Sequence, residues 1–285
     1  MRGGDRRRDS NPTSLASPPA PFPWRLIRDR PSGAAWNMAV DEAILERYAD
    51  GSQRAPTLRL YGWSPPAVSL GRNQAARGAH APDYLSQEGI DLVRRPTGGL
   101  AVLHEHERTY AVIGTLGRPP FEGGVLATYL AVSRAVLSAL ETLGVPARAE
   151  APGAADVARE RSPGPSCFEV VSAHEISVLR RKLVGSAQLR RRRAFLQHGS
   201  IPIRGDSGRV ARALGTAART DRFTDLERSL GRTPNDDEID VAMRRGFERT
   251  LGISLRDGSL TANEIAVARE LSRTRYVAPR WTLRR

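Results

Sequence analysis

Apolar residues near the start of the chain repeat with the period of an α-helix. They lie three or four positions apart over residues 36–48, which places them on one face of a helix. The apolar positions are Trp36, Ala39, Val40, Ala43, Ile44 and Tyr48. The pattern therefore predicts a helix with one buried face in this segment.

Short apolar runs bounded by Gly, Pro and Ser predict strands in the middle of the chain. These runs cover residues 57–63, 67–71, 90–95, 100–104 and 108–114. A short helix is expected at 82–88. A long apolar helix is expected over 124–144, because Gly144 and Pro146 stop the helical pattern there.

A hairpin is predicted after a Pro- and Gly-rich connection. Its strands are HEISVL (174–179) and KLVGSAQLR (182–190). Arg180 and Arg181 are expected to close the hairpin, and the arginine run 190–193 turns the chain into a third strand over 194–203.

The chain beyond about residue 206 is expected to be mostly helical. Thr261 and Glu264 have the spacing of a capping box, which predicts a helix over 262–273. Strands clustered in the middle, with helices before, between and after them, predict an α+β fold. We expect a central, mostly antiparallel sheet covered by helices, in a single domain from residue 24 to residue 285.

Residues 1–23 are polar and rich in Arg, Ser and Pro, without the apolar segment of a signal peptide, so we expect a disordered tail. No run of about 18 apolar residues was found, so no membrane partner is expected. The single cysteine, Cys167, cannot form an internal disulfide, which fits a reducing cytoplasm.

The formal net charge of +13 leaves three interpretations open. They are nucleic-acid binding, docking of an acidic protein partner, and a genome that favours arginine codons. The charge is spread along the chain and aromatic residues make up only 6% of it, so it lacks the aromatic platform on which bases stack. We therefore expect no nucleic-acid partner.

Lys182 is the one lysine among 44 basic residues, and it follows Cys167 by 15 positions. Cys167 is either a buried apolar residue or a nucleophile presented by a loop. Lys182 is either a lysine retained by chance or an ammonium group that the chemistry of the protein requires. A compact ammonium can stabilise negative charge on a carbonyl oxygen and lower the pKa of a nearby thiol, and a guanidinium has a different shape.

Two further segments have features of a binding site. Gly98 and Gly99 separate two predicted strands, which allows the backbone to approach a ligand closely. Gly199 follows His198 inside a predicted strand, where a glycine indicates a bulge or a close neighbour. The chain has no metal-ligand spacing and no phosphate-binding loop, so neither a metal nor a nucleotide cofactor is expected.

Taken together, these segments resemble one superfamily, which contains lipoate–protein ligases, octanoyltransferases and biotin–protein ligases. The matching segments are WNMAVDEAIL, LRLYGWSPPAVSLGRNQ, RRPTGGLAVLHEHERTYAVI, RKLVGSAQLRRRRAFLQHGSIPI and RTRYVAPRW. The resemblance implies an α+β fold whose central sheet surrounds an acyl-binding tunnel. The position of SCFE before the hairpin is similar to the cysteine-dependent branch of octanoyltransferases.

That branch implies transfer of an octanoyl group from octanoyl-acyl carrier protein to a lysine of a lipoyl domain or of a glycine-cleavage H-type protein. It implies Cys167 as the acyl-accepting nucleophile and Lys182 as the lysine at the acyl carbonyl, with no ATP or metal. The implied substrate-binding residues are Arg94, Arg95, Thr97, Gly98, Gly99, His104, Gly185, Ser186, Ala187, His198 and Gly199. We expect a cytoplasmic monomer.

Two positions depart from the family pattern, and several alternatives stay open. Leu100 stands where relatives commonly have Gly or Arg, and His174 lies in a stretch that differs from the branch's usual residues after the cysteine. One alternative is amidotransfer of octanoyl or lipoyl groups between lipoylated proteins. Others are an ATP-dependent ligase that lacks its accessory domain, and a catalytically inactive sensor or regulator.

Overall fold

The structure, a computed structural model, describes residues 23–52, 55–149, 175–217 and 222–284. The strands in this part of the chain are β1 (Pro23–Arg28), β2 (Thr57–Tyr61), β3 (Ala67–Leu70), β4 (Asp91–Arg94), β5 (Val102–His104), β6 (Glu107–Thr115), β7 (Arg148–Ala149), β8 (Ile176–Val178), β9 (Arg181–Arg191), β10 (Ala194–Pro202) and β11 (Ser254–Asp257).

The helices are α1 (Ala34–Ala49), α2 (Pro82–Gln87), α3 (Val125–Thr142), α4 (Ser207–Leu214), α5 (Leu226–Leu230), α6 (Asp236–Leu251), α7 (Ala262–Leu271) and α8 (Pro279–Thr282). A π-helical turn, Ser272–Tyr276, continues α7. Capping boxes begin α6 and α7, and the predicted box of Thr261 and Glu264 is confirmed.

Eight strands form one large sheet in the order β11-β1-β2-β6-β10-β9-β8-β7. In this sheet the neighbouring pairs β11–β1 and β1–β2 are parallel, and the other five neighbouring pairs are antiparallel. A smaller sheet has the order β4-β3-β5. The predicted α+β fold with a mostly antiparallel sheet is confirmed.

Helices cover both faces of the large sheet, because alternate side chains of its strands are apolar on both sides. On one face, α1 packs with α7 over residues such as Ala111 and Leu196. On the other face, α3 and α6 pack over Val112 and Phe195. Gly246 allows α6 to touch α3, since a Cβ atom there would lie 2.5–2.8 Å from the α3 backbone.

Helix α3 is long and apolar enough, by length and composition alone, to span a membrane, although no membrane span was expected from the sequence. Half of its most apolar stretch is buried inside the structure. Its contacts with α6 and the sheet explain this apolar surface, as in the core helix of a folded domain.

Three details differ from the sequence predictions. Strands β1 and β11 were not predicted, and they pair with each other across more than 200 residues. Strand β1 begins at Pro23, which was assigned to the tail; the rest of the predicted tail lies outside the described residues. The turn between β8 and β9 is made by Leu179 and Arg180, whereas Arg181 is the first residue of β9.

Candidate active site

A narrow slot lies between the large sheet, the small sheet and α1. Its wall comes from β2, β6, β9 and β10, from β3 and β5, and from Met38 of α1. The cavity volume is about 30 Å³, which is room for about two water molecules. The predicted binding residues in its wall are Arg95, His104, Gly185, Ser186, Ala187, His198 and Gly199.

His198 of β10 is buried in this wall between two hydrogen-bonding partners. Its Nδ1 atom lies 3.1 Å from Oδ2 of Asp41, and its Nε2 atom lies 2.6 Å from Oγ1 of Thr97. A carboxylate only accepts hydrogen bonds, so Nδ1 donates and Nε2 of the neutral ring accepts from Thr97. Burial lowers the pKa of His198 in spite of the opposing effect of Asp41, which favours this neutral form.

Asp41 belongs to α1 and is fully buried. It accepts hydrogen bonds from the Arg59 guanidinium at 2.7 Å and from the Tyr61 hydroxyl at 2.9 Å. Burial opposes its ionisation, but His198 and Arg59 outweigh burial and hold the pKa of Asp41 below its ordinary value. Asp41 is therefore an anion that orients His198.

A second buried histidine has a similar arrangement. Nδ1 of His104 lies 2.9 Å from Oε1 of Glu107, and Nε2 lies 2.7 Å from the Ser69 hydroxyl oxygen. Glu107 also accepts from the hydroxyls of Ser200, at 2.6 Å, and Thr109. Burial opposes the charge on Glu107. Its hydrogen-bond donors, of which His104 has the largest effect, nevertheless keep the pKa of Glu107 below its ordinary value.

Trp63 covers the imidazole of His104. The two rings are stacked with their centroids 4.0 Å apart, and the indole Nε1 donates to Thr109 at 2.7 Å. His104 is therefore held by contacts on its face as well as at both nitrogen atoms.

The loop between β4 and β5 contains the predicted residues Thr97, Gly98 and Gly99. Gly99 has φ of +90°, a conformation that favours glycine, and a Cβ atom on Gly71 would lie 1.8 Å from the Gly99 carbonyl oxygen. Arg95 donates to the Gly98 carbonyl at 2.7 Å and 3.1 Å. These contacts fix the loop beside the slot.

Gly199 occupies a crowded position in the slot wall. A Cβ atom there would lie 2.6 Å from the Tyr110 ring and 2.8 Å from Oγ of Ser186. The hydroxyls of Tyr110 and Ser186 are themselves 2.7 Å apart. The close neighbour that the sequence predicted at Gly199 is therefore the Tyr110 ring.

Arg94 is fully buried but does not line the slot. Its guanidinium donates at 2.6–3.1 Å to backbone carbonyls of two distant segments. The carbonyls belong to Gly71, Gln74, Trp281, Thr282 and Arg284. Arg94 therefore links the loop after β3 to the C-terminal segment.

Lys182 is fully buried at the start of β9, three residues before Gly185 of the slot. Its ammonium forms an ion pair with Glu175, which is also buried. Cys167 and His174 lie outside the described residues, so the role assigned to Cys167 stays a prediction.

Several residues of the site were not predicted from the sequence, above all Asp41, Glu107 and Trp63. A signal for Asp41 was present, because it is a charged residue within the apolar pattern of α1. Among the residues that the structure describes, no three His, Cys, Asp or Glu side chains are grouped so that they could hold a metal ion.

Comparisons with known proteins show the family to which the chain is similar. Residues 33–248 match the family model of the lipoyl protein ligase A/B catalytic domain. The chain is 37% identical to octanoyltransferase LipM of Kyrpidia tusciae, over 92% of this chain and 99% of that protein. It is 38% identical to octanoyltransferase LipM of Symbiobacterium thermophilum, over 92% of this chain and 98% of that protein.

Solved structures show the same fold. A crystal structure of lipoate-protein ligase A bound with ATP is 26% identical, with a TM-score of 0.77 over 91% of this chain and 98% of that one. A bipartite lipoate protein ligase from Thermoplasma acidophilum, studied with its E2 lipoyl domain, is 25% identical, with a TM-score of 0.73 over 92% of this chain and 96% of that one.

Proposed function

The chain belongs to the family of lipoyl protein ligase A/B catalytic domains and is an acyltransferase, and we propose that it transfers an octanoyl group to a lysine of lipoyl domains in protein lipoylation. The agreement with two proteins named octanoyltransferase, over almost their whole lengths, supports octanoyl as the acyl group. The proposed donor is octanoyl-acyl carrier protein.

The proposed reaction has two steps with a thioester on Cys167 between them. The Cys167 thiolate attacks the carbonyl carbon of the donor thioester, and the carrier thiolate leaves. The neutral amine of the acceptor lysine then attacks the new thioester, the Cys167 thiolate leaves, and the amine loses a proton. Because the incoming thioester is already activated, the reaction needs neither ATP nor a metal.

The observation that carries this proposal is the buried ammonium of Lys182, at the start of the strand that supplies Gly185 to the slot wall. In both steps, negative charge develops on the acyl oxygen, and a fixed ammonium stabilises it more in the transition state than in the ground state. The ion pair with Glu175 limits the motion of the Lys182 side chain and so keeps the ammonium in position before the reaction begins.

The slot is the proposed site for the octanoyl chain. At about 30 Å³ it is too small for eight carbon atoms in its present form, so lining side chains must move when the chain enters. Met38 is the most adaptable of the apolar ones, because its side chain is unbranched and has three rotatable bonds. The two histidine networks hold the polar part of the wall in place while the apolar part adjusts.

The experiment is intact-mass analysis without ATP. On mixing with octanoyl-acyl carrier protein, the enzyme should gain one octanoyl group that hydroxylamine removes, and apo lipoyl domain added next should receive it. Cys167→Ala should show neither event. Full transfer by Cys167→Ala would overturn the thioester mechanism.

The same assay separates the alternatives. Transfer that requires octanoate and ATP would identify a ligase. Transfer from an octanoylated H-type protein, without any transfer from the acyl carrier protein, would identify an amidotransferase.

A further inference from the structure

A second, larger cavity lies beside the slot and has no role in the function described so far. Its volume is about 410 Å³, within the range of sites that bind organic ligands. Apolar side chains form much of its wall, namely Leu103, Pro202, Val210 and Phe223. Charged side chains of both signs also line it, namely Arg204, Arg209, Glu105, Glu107 and Asp206. The Asp206 carboxylate accepts hydrogen bonds from the backbone N–H groups of Gly208 and Arg209 at the start of α4.

Strand β5 separates this cavity from the slot. Successive residues of a strand point to opposite sides, and Leu103 lines the cavity whereas Val102 and His104 line the slot. Glu107 also lines the cavity, and its carboxylate accepts hydrogen bonds from Ser200 and His104 in the slot wall. The two spaces therefore share one wall.

The cavity also reaches the strand that contains Lys182. Phe223 pairs with Lys182 in a parallel bridge, in which Lys182 N donates to the Arg222 carbonyl at 3.0 Å and Thr224 N donates to the Lys182 carbonyl at 2.9 Å. Side chains of paired residues point to the same side of a sheet. Phe223 therefore both lines the cavity and neighbours Lys182 in the sheet.

The two arginines at the cavity differ in the charge that they leave available. Arg209 is neutralised by Glu88 at 2.6 Å and Glu105 at 2.8 Å. Arg204 is exposed, and its guanidinium lies 3.3 Å from Nε2 of His106. Among the described residues, no carboxylate forms an ion pair with Arg204, so it can receive an anionic group.

We infer that this cavity binds the phosphopantetheine arm of the acyl donor. That arm is a long chain with two amides and a dimethyl group, and it ends in a phosphodiester. These groups match a cavity whose wall is partly apolar and which has an exposed arginine among its lining residues. Its thiol end would approach Lys182 past Phe223, and its phosphodiester would lie at Arg204. The inference rests on the proposed function, because it assumes a carrier-bound thioester donor.

The first test measures binding of free 4′-phosphopantetheine to the full chain by calorimetry. Val210→Trp fills the cavity and should weaken binding at least about tenfold, since the indole occupies the ligand's volume. Arg204→Ala removes the phosphate partner and should weaken binding at least about fivefold. The matched controls are Val241→Trp and Arg245→Ala on the exposed side of α6, which should bind as the wild type does.

The second test compares two donors, octanoyl-phosphopantetheine and octanoyl-N-acetylcysteamine, which lacks most of the arm. In Val210→Trp and Arg204→Ala, kcat/KM should fall at least about fivefold more with the long donor than with the short one. Arg204→Ala changes an exposed side chain, so this comparison does not depend on tolerance of a buried tryptophan.

Equal losses with both donors, or unchanged phosphopantetheine binding in both variants, would overturn the inference. The wild type could instead bind ATP and show no measurable phosphopantetheine binding. If Val210→Trp then abolished the binding of ATP, the cavity would be a nucleotide site and the inference would be overturned. Failure of octanoyl transfer from every thioester would instead contradict the proposed function, whereas the binding measurement would still report on the cavity.

Discussion

Nδ1 of His198 lies 3.1 Å from Oδ2 of Asp41, although 157 positions separate the two residues in the sequence. This contact joins α1 to β10 and determines which nitrogen of the imidazole bears the proton. Thr97 completes the arrangement from the loop that lies beside the slot. The hydrogen bonds of His198 thus join three distant parts of the chain, namely α1, β10 and this loop.

We predict that His198 makes the protein less stable at mildly acid pH. Burial holds its pKa in the folded state below the ordinary value of about 6.5. As the pH falls, His198 therefore binds a proton in the unfolded chain before it does so in the folded protein. Its contribution to the unfolding free energy is fully present above about pH 6.5 and is lost as the pH falls towards the folded-state pKa.

Urea unfolding at pH 7.5 and pH 5 should show a loss of up to about 2 kcal/mol from this residue. The pKa of Asp41 is also lowered, but that contribution is lost only below about pH 4. His198→Gln should reduce the pH dependence, and His106→Gln, an exposed control, should not. An unchanged slope in His198→Gln would contradict the prediction.

We predict that Lys182→Arg loses both activity and stability. The larger guanidinium must fit a fully buried site, which costs about 1–3 kcal/mol in unfolding free energy, and a misplaced donor lowers turnover at least about tenfold. The adjacent change Arg181→Lys is the matched control, because Arg181 is exposed. Normal octanoyl transfer by Lys182→Arg would show that the ammonium has no special role.

Removing the charge of Lys182 alone should be more harmful to folding. Lys182→Met leaves the buried Glu175 carboxylate without this partner, which costs about 3–5 kcal/mol. Adding Glu175→Gln should restore part of the loss in a urea titration. If the two changes are simply additive, the ion pair contributes no coupling energy.

We predict that Gly199→Ala disrupts the slot wall. The new methyl group would overlap the buried Tyr110 ring, so the unfolding free energy should fall by about 1–3 kcal/mol. Gly98→Ala is the control for stability, because a Cβ atom at Gly98 has no neighbour within 4 Å and its backbone is not left-handed. Equal midpoints for the two variants in thermal unfolding would argue against the clash.

We predict that Arg94→Lys destabilises the fold and loosens the loop after β3. Lysine keeps the charge but cannot reach the carbonyls of two segments at once, so about 2–4 kcal/mol should be lost. Hydrogen exchange should increase around Gly71 and Trp281 together. Arg245→Lys, on the surface of α6, should change neither quantity.

Local pattern was sufficient to predict most of the elements. The helical period of α1, the capping box at Thr261 and the alternating strands β9 and β10 appear in the structure close to their predicted positions. These features depend on residues within a few positions of one another. The sequence therefore determined the α+β class, the two glycine positions beside the slot and the family to which the chain belongs.

Only the tertiary structure decided which distant groups meet. Strands β1 and β11 are short and are held by pairing with distant strands, β11 with β1 and β1 with β2 as well, so neither has a strong local pattern. In the same way, the sequence shows that Asp41, Glu107 and Lys182 exist but not that each is buried against a specific partner. Partners for buried charges are chosen by the packing of whole sheets and helices, which brings residues 157 positions apart into hydrogen-bond distance.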